Sequence, residues 1–348
     1  MVRVRKRGEK IRQFILDNVS NHPKDIASLT AKAFDISRQA VNKHVKHLEQ
    51  QKALLIRGTT RSRHYVLLPL EKWDRVYPTT DSLKEDLVWR NDIRPRLGEL
   101  PDNIIDIWQY GFTEMLNNAI DHSGSKNITV ILQRTATETE IAIHDYGEGI
   151  FRKIQRELNL EDERHAVLEL SKGKVTTDPR RHTGEGIFFT SRMFDDFAIL
   201  SGSTYFSHIH DEVEDWILQR QNSQDGTSIF MKLRNNNART TKAIFDQFTS
   251  GGDYGFTKTV LPVRLAQYGD EKLISRSQAK RLMARVERFK VVMLDFDGVE
   301  SIGQAFADEV FRVFISQHPL IEVVPTNTVP AVRQMIDRSR SNQLATEG

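Results

Sequence analysis

The spacing of apolar residues predicts three helices in the first 50 residues. Apolar side chains of the first helix recur every three or four positions, the spacing of one helix face, at Ile11, Phe14, Ile15 and Val19. Pro23 interrupts this pattern before a second predicted helix at residues 26–34. Ser37 then stands at the N-cap of a third helix, whose inward face is predicted to be Ala40, Val41, Val45 and Leu48.

Two short apolar segments follow these helices. Residues 53–56 and 65–68 have the composition of paired strands, and the sequence RGTTRSR at residues 57–63 between them forms a basic tip. Residues 1–68 hold 15 Lys and Arg against 5 Asp and Glu, a net charge of +10, so the rest of the chain carries −7 of the formal total of +3. A positive charge concentrated at one end indicates a polyanionic partner.

This order of elements resembles the winged helix-turn-helix domains of bacterial transcription regulators. The stretch ISRQAVNKHVKHLEQQKALL is similar to their turn, recognition helix and first wing strand. The resemblance implies that residues 1–68 form a DNA-binding domain. Residues implied to face base edges in the major groove are Arg38, Gln39, Asn42 and Lys43, and those implied to hold phosphates are Lys46, Arg57, Arg61 and Arg63. A winged helix that contacts proteins is the alternative, and the charge favours DNA.

Residues 107–120 have the pattern of a helix with a core face and a polar face. The apolar stripe is Phe112, Met115, Leu116 and Ala119. The polar residues Glu114, Asn118 and Asp121 lie three and four positions apart on another face. A carboxylate and an amide one turn apart can engage a water and a hydrated Mg²⁺, although surface helices often carry such pairs.

Glycine-containing turns recur downstream of this helix. Strands predicted at 128–132 and 140–144 lead into the sequence DYGEG at residues 145–149. The sequence TGEGI at residues 183–187 opens an apolar helix, whose free amide groups and positive dipole end suit an anion. A further Gly-Thr pair, Gly226 and Thr227, precedes a strand at residues 228–233.

Four motifs follow one another in this segment: EMLNNAIDHS from Glu114, DYGEG, GEGI and the Gly-Thr pair. Their order resembles that of the GHKL ATPases, the family of DNA gyrase and the histidine kinases. The resemblance implies a Bergerat-type α/β sandwich over residues 106–235, with three or more helices on one face of a mixed sheet. It also implies ATP and Mg²⁺ as cofactors.

The resemblance further assigns roles by position. It implies that Asn118 binds Mg²⁺, that Asp145 accepts a hydrogen bond from the adenine amino group, and that Glu114 activates a water or a protein hydroxyl. Other residues implied to bind ATP are Asp121, Gly147, Gly149, Gly184, Gly186 and Thr227. Residues 151–183 would form a mobile lid, with four candidates for a phosphate contact, Lys172, Lys174, Arg180 and Arg181.

Strand and helix patterns alternate at residues 250–340. A capped helix precedes a strand at 291–296, and a second helix, a strand at 321–324 and a last helix follow, which predicts a small α/β domain. The stretch VVMLDFDGVESIGQAFADEVFRVF resembles STAS-like domains related to anti-sigma-factor antagonists. In the antagonists a serine is phosphorylated where Gln304 aligns, and Gln cannot accept phosphate. The resemblance therefore favours a domain for docking a protein partner or for dimerisation.

The predicted organisation is α/β multidomain. It comprises a winged helix at 1–68, a proline-punctuated linker at 69–105 with one helix at 82–94, the ATP-binding domain at 106–235 and the STAS-like domain at 250–340. No apolar run approaches the length of a membrane span, so no membrane partner is expected. The absence of Cys fits a reducing cytoplasm.

Three functions compete at this point. The first is a DNA-binding regulator whose conformation, and potentially homodimerisation, is controlled by Mg-ATP, with hydrolysis at Glu114 resetting it. The second is a GHKL-type kinase that phosphorylates a separate protein. The third is a scaffold with ATP as a permanent ligand. Autophosphorylation on histidine is not expected, because no helical hairpin with an acceptor histidine precedes the ATP-binding segment.

Overall fold

The N-terminal residues form three helices and a hairpin. The computed structural model describes residues 2–59, 62–175, 184–210, 216–249, 255–267 and 272–344. The first elements in chain order are α1 (Val2–Val19), α2 (Ile26–Phe34), α3 (Arg38–Gln50), β1 (Leu54–Arg57) and β2 (His64–Leu67). The predicted cap is present, since the Ser37 hydroxyl oxygen accepts a hydrogen bond from the Ala40 amide at 3.2 Å. Val41, Val45 and Leu48 are buried in a separate core whose buried residues all belong to this segment.

The segment predicted as a linker is instead part of the central domain. Residues Glu71–Pro78 form β3, which pairs antiparallel with β4 (Asn127–Arg134). Two helical pieces, α4 (Glu85–Val88) and α5 (Arg94–Leu97), flank a π-helical turn at Trp89–Ile93. Of the prolines that suggested a linker, Pro78 ends β3 and Pro101 caps the helix that begins at Asp102, where a missing amide donor costs no hydrogen bond, and Pro95 is the second residue of α5.

The central domain has helices against a five-stranded sheet. Its remaining elements are α6 (Asp102–His122), β5 (Glu138–Asp145), α7 (Ile150–Leu158), α8 (Glu163–Lys172), α9 (Gly186–Met193), β6 (Asp196–Ile209), β7 (Trp216–Arg234) and α10 (Thr241–Gln247). The strand order is β3-β4-β5-β7-β6, and every neighbouring pair is antiparallel. The expectation of a mixed sheet was wrong. A turn of three residues joins β4 to β5 and imposes antiparallel pairing there, whereas β3 reaches β4 through α4, α5 and α6.

Burial alternates along the strands of this sheet, so the helices cover one face. Ile128, Val130 and Leu132 of β4 are buried, whereas Ile131 between them is exposed. Helix α6 contributes a large apolar face, on which Trp108 packs edge-on against Phe194 with ring centroids 4.7 Å apart. This layered arrangement agrees with the α/β sandwich expected from the sequence.

The expected mobile lid is mostly regular structure. Most of residues 151–172 belong to α7 and α8, which pack against each other and bury Phe151, Ile154 and Val167. The amphipathic spacing of these residues explains the burial. Residues 176–183, which include Arg180 and Arg181, lie outside the described part of the chain.

The C-terminal residues form a smaller parallel sheet with helices. Its elements are β8 (Lys258–Pro262), α11 (Arg276–Met283), β9 (Val291–Asp295), α12 (Gln304–Asp308), α13 (Ile315–Gln317), β10 (Glu322–Thr326) and α14 (Pro330–Leu344), and the strand order is β10-β9-β8. The sequence patterns predicted all but β8. Ser275 and Gln278 form a reciprocal capping box at the start of α11. The buried apolar residues are continuous with those of the central domain.

Within the described ranges, no helix has both the length and the apolar character required to cross a lipid bilayer. Helix α6 illustrates this, because it is 21 residues long and carries four acidic residues, Asp102, Asp106, Glu114 and Asp121. The cytoplasmic location stays a prediction.

The contact between α6 and α9 predicts an unusual effect of a Gly-to-Ala change. A methyl group at Gly111 would lie 2.3 Å from a ring atom of Phe194. Alanine normally stabilises a helix interior by up to about 1 kcal/mol, but overpacking costs about 1–3 kcal/mol. We therefore expect Gly111→Ala to lower the urea midpoint of unfolding, measured by circular dichroism.

The matched control is Gly8→Ala in α1, where the new methyl group would meet only side-chain atoms, Arg12 at 3.4 Å and His44 at 3.6 Å. This variant should be neutral or slightly stabilised. Equal midpoints for Gly111→Ala and the wild type would contradict the close approach of α6 and α9.

Candidate nucleotide-binding site

A cavity of about 310 Å³ opens between α6, the carboxyl end of β5 and the first turns of α7 and α9. Seven of the residues predicted to bind ATP line it: Glu114, Asn118, Asp145, Gly149, Gly184, Gly186 and Thr227. These residues come from four separate stretches of sequence, and the fold brings them to one concave surface. The volume is within the range of small-ligand sites.

Asp145 is the most constrained polar group in this cavity. Its side chain is only 7 % exposed, and its Oδ1 accepts hydrogen bonds from the amides of Gly147 at 3.0 Å and Thr227 at 3.2 Å. Burial raises the pKa of this carboxyl group, and the hydrogen bonds from Gly147 and Thr227 oppose the rise. Asp145 is therefore held in one orientation at the end of β5, where it can accept a hydrogen bond from a ligand.

Two glycines shape the walls of the cavity. Gly149 has φ +93°, a conformation that side-chain-bearing residues rarely adopt, and a methyl group there would lie 2.6 Å from the Ser201 hydroxyl. At Gly186 a methyl group would lie 2.1 Å from Oε2 of Glu114. The absence of a side chain at Gly186 thus allows the Glu114 carboxylate to lie against the first turn of α9.

The electrostatics of the cavity favour an anion near α9. Helices α7 and α9 both begin at the cavity, and the amino end of a helix is the positive end of its dipole. Burial raises the pKa of the neighbouring Glu185 carboxyl group, and the Lys174 charge opposes this rise. Burial, followed by the charges of Glu114 and Glu185, raises the pKa of Tyr110. The charges of both Glu114 and Glu185 therefore reach Tyr110 at this end of the cavity.

Two predicted residues do not lie on the cavity wall. Asp121 is exposed near the end of α6, and the wall at this point is formed by His122 and Ser123. Gly147 lies behind Asp145, where its amide supports the carboxylate and a methyl group would lie 1.8 Å from the Ser123 carbonyl oxygen. An ATP contact by either residue stays a prediction.

The lysines proposed as phosphate ligands have other partners. Lys172 is 1 % exposed and donates hydrogen bonds to Glu169 and to two backbone carbonyls of the C-terminal domain. Of the four candidates for a phosphate contact, Lys172 is therefore excluded, because these three acceptors hold its buried ammonium and it does not line the cavity. Lys174 donates a 3.3 Å hydrogen bond to the Arg288 carbonyl oxygen.

The wall includes residues that sequence reasoning missed, namely Asn117, His122, Ser123, Lys153, Leu170 and Val175. Lys153, near the start of the predicted lid, places a positive charge on the wall. Its Nζ donates a hydrogen bond to the His122 carbonyl oxygen at 2.9 Å. Its position one helical turn after Gly149 was a signal that could have been used. Leu170 and Val175 had no local signal, because only packing brings them to the cavity.

The cavity suits a magnesium ion carried by a ligand. Among the described residues no group of three His, Asp or Glu side chains could hold a metal on its own. Asn118 and Glu114 nevertheless place an amide oxygen and a carboxylate one turn apart on the wall. Mg²⁺ commonly takes one or two protein oxygens together with phosphates and waters, so this donor set fits.

The residues predicted to bind DNA share an exposed face of α3 and the hairpin. Arg38, Gln39, Lys43 and Lys46 are exposed, and Asn42 is half-buried on the same side of the helix. Arg57 and Arg63 are exposed at the hairpin, and Arg61 lies outside the described residues. The structure thus leaves this surface available to a ligand, and its role in DNA binding stays a prediction.

The buried carboxylate predicts opposite effects of Asp145→Asn on stability and on ligand binding. A raised pKa means that the ionised carboxylate costs stability in the folded state at neutral pH, and this cost disappears as the pH falls through the folded-state pKa. An Asn oxygen can still accept the two backbone amides. We expect an unchanged or higher melting temperature without nucleotide, and an ATP affinity about 10- to 100-fold weaker, because a charge-assisted hydrogen bond is lost.

Differential scanning fluorimetry with and without Mg-ATP measures both effects. Asp121→Asn is the matched control, because Asp121 is exposed and lies outside the cavity wall. If Asp121→Asn weakened ATP binding as much as Asp145→Asn, the site would be assigned to the wrong surface.

Two comparisons with known families agree with this geometry. Residues 87–205 match the family described as histidine kinase-like ATPase domain, and residues 278–333 match a STAS-like domain of unknown function. The first match includes all the cavity residues named from the sequence except Thr227. Among curated proteins, none matches the chain. The chain is thus similar to histidine kinase-like ATPase domains over residues 87–205, which include most of the cavity wall, and to a STAS-like domain over residues 278–333.

Proposed function

We propose that this protein is a DNA-binding transcriptional regulator whose conformation is controlled by Mg-ATP. The observation that carries the proposal is the convergence of Asp145, Asn118 and Glu114 on one cavity at which two helices begin. The match to histidine kinase-like ATPase domains supports ATP as the ligand.

The proposed pose of ATP follows from the polarity of the cavity. The adenine amino group donates to Asp145, close to Thr227, whose hydroxyl oxygen is already engaged by the Ile150 amide at 3.0 Å. The triphosphate lies toward Gly184 and Gly186, where the positive end of α9 favours negative charge. Bound Mg²⁺ would neutralise phosphate charge, with Asn118 as its protein ligand.

Glu114 is the proposed general base for hydrolysis. A carboxylate can accept the proton of a water that attacks the γ-phosphate, and Glu114 is held beside the first turn of α9. The raised pKa of Glu185, one residue before Gly186, reflects burial at the same end. Water at this end would therefore face a carboxylate beside the bound phosphate.

The N-terminal residues support the DNA-binding part of the proposal. Three helices followed by an antiparallel hairpin agree with a winged helix, in which α3 would enter the major groove. Of the basic side chains predicted to contact DNA, those that the structure describes are exposed on α3 and the hairpin and are not part of the buried core: Arg38, Lys43, Lys46, Arg57 and Arg63. A cationic surface of this kind supplies most of the affinity for DNA phosphates.

A short connection supports communication between the two functions. Only three residues separate β2 from β3, the edge strand of the ATPase sheet. The Leu70 amide donates to the Arg134 carbonyl oxygen at 2.7 Å, and Ala136, in the turn after β4, packs against the N-terminal core. A change in the sheet would therefore be transmitted directly to the hairpin.

We expect ATP or a non-hydrolysable analogue to change the DNA affinity of the full chain by about 5- to 150-fold, the usual range of allosteric coupling. Fluorescence anisotropy with labelled DNA at fixed salt measures this change. Equal DNA affinities with and without nucleotide, under conditions in which nucleotide is bound, would reject the coupling.

The DNA-binding surface is tested by Arg38→Ala and Lys43→Ala. A side chain that contacts a phosphate should lower the salt dependence of binding by about one unit of slope when it is removed, whereas a base contact should relax sequence preference. Lys32→Ala in α2 is the control, because Lys32 is also exposed and basic but lies outside α3. Similar losses of DNA affinity in all three variants would indicate nonspecific electrostatic attraction instead of a defined interface.

The fate of the γ-phosphate separates the competing functions. With γ-labelled ATP we expect free phosphate from the wild type, and a rate about 10²- to 10⁴-fold lower in Glu114→Gln, since a general base is lost. ATP binding by this variant should stay close to that of the wild type. Labelled protein would indicate a kinase, and neither product, with or without DNA, would indicate a binding switch without hydrolysis.

A further inference from the structure

A buried lysine joins the ATPase domain to the C-terminal domain. Nζ of Lys172, the last residue of α8, donates to Oε1 of Glu169 at 2.6 Å, to the Arg281 carbonyl oxygen at 2.9 Å and to the Ala284 carbonyl oxygen at 2.8 Å. Arg281 and Ala284 belong to α11 and its C-terminal cap. All three ammonium protons are thus satisfied, two of them by the other domain.

The charges around this lysine form a buried group that spans both domains. Glu169 is 0 % exposed, and its Oε1 lies 3.7 Å from His165 and 3.7 Å from Arg285 of the C-terminal domain. Burial raises the pKa of Glu169, but the neighbouring His165, Lys172 and Arg285 outweigh this effect and hold the pKa below its usual range. Removing one member of a buried pair leaves an uncompensated charge, so this group favours one relative position of α8 and α11.

The residues that follow Lys172 are also held by the C-terminal segment. The Lys172 carbonyl oxygen accepts a 2.7 Å hydrogen bond from the Thr259 hydroxyl on β8. Nζ of Lys174 lies 5.3 Å from the ring centre of Phe256 and 4.9 Å from that of Phe289, and the Arg288 guanidinium donates to the Lys174 carbonyl oxygen. Lys172 and Lys174 are therefore both held by the C-terminal segment.

The same segment forms part of the nucleotide cavity. Leu170, two residues before Lys172, and Val175, directly after Lys174, both line the wall. A methyl group at Gly184, another wall residue, would lie 2.5 Å from the Val175 carbonyl group. The backbone at Val175 therefore touches the glycine turn that leads into α9, and its position depends on the neighbouring residues held by the C-terminal domain.

We propose that the STAS-like domain is a positioning element of the nucleotide site, acting through Lys172, which fixes Leu170 and Val175 at the cavity wall. A protein partner that moved α11 would thereby change nucleotide affinity. The proposal rests on the proposed binding of ATP in this cavity. The proposal also requires that bound nucleotide stabilise the contact between α8 and α11, because a coupling free energy between two sites acts equally in both directions.

Hydrogen exchange of the full chain, with and without Mg-ATP, tests reciprocity. Bound nucleotide should slow exchange at Gly147 and Thr227 in the cavity, and also at the amides of residues 284–291, the segment whose carbonyl oxygens accept hydrogen bonds from Lys172 at Ala284 and from Lys174 at Arg288. Protection confined to the cavity would overturn the positioning role and leave ATP binding intact. No protection anywhere, with no ATP binding by calorimetry, would instead reject the proposed function.

Two variants test the contact between the Lys172–Lys174 segment and the C-terminal domain, one in each partner. Lys172→Met removes the buried charge with little change in volume, and should weaken ATP binding about 10-fold or more and abolish the nucleotide-dependent protection at 284–291. Arg288→Ala removes only the hydrogen bond to the Lys174 carbonyl oxygen from an exposed side chain. It should fold normally, weaken ATP binding about 3-fold and reduce the same protection, so the proposal is testable even if Lys172→Met does not fold.

The matched controls are Lys280→Met and Arg276→Ala, at exposed positions of the same domain. Both should keep the wild-type ATP affinity and the wild-type protection at residues 284–291. The proposal is overturned if Arg288→Ala, folded by circular dichroism, has the same affinity and protection as Arg276→Ala. It is also overturned if a folded Lys172→Met behaves like Lys280→Met.

Discussion

The nucleotide site depends on one buried carboxylate held between two strands. Asp145 ends β5, and Thr227, 82 residues later, donates its amide to Asp145 from β7. Antiparallel pairing of β5 with β7 brings these residues together, and the Gly147 amide completes the support. Because an ionised carboxylate costs free energy when it is buried, a ligand that donates a hydrogen bond to Asp145 can offset part of this cost. Ligand binding and stability are therefore linked at this residue.

The three segments of the chain differ in how firmly they are joined. The N-terminal domain keeps its own core and meets the sheet through a three-residue connection and the turn after β4. The ATPase and STAS-like domains share a continuous set of buried apolar residues, reinforced by the buried charges around Lys172. A shared core resists relative motion, whereas a short backbone connection transmits it. In the proposed regulator, the C-terminal domain would position the wall of the ATP site. The sheet would transmit conformational changes to the N-terminal DNA-binding domain.

Much of the fold and part of the site could be predicted from the sequence. The helix at α3, its Ser37 cap, the strands β4, β5, β9 and β10 and the cap of α11 all follow from local spacing and capping chemistry. Seven cavity residues could be named because they lie in short contiguous motifs. Lys172 stood among four candidates for a phosphate contact, since a lysine beside a glycine has the same local pattern whether its charge reaches a ligand or a buried carboxylate. β3 was taken for linker because a proline such as Pro78 marks a strand end as well as a loop.

The sequence by itself determined the elements, the glycine turns and the acidic and amide groups of the candidate site, because these depend on residues close together in the chain. Only the tertiary structure decided the antiparallel order of the sheet, the exclusion of Asp121 from the cavity wall and the inclusion of Lys153, Leu170 and Val175. These features depend on packing between distant segments. The environment of a charge such as Lys172 is set by carbonyl groups more than 100 residues away, at Arg281 and Ala284. No local pattern contains that information.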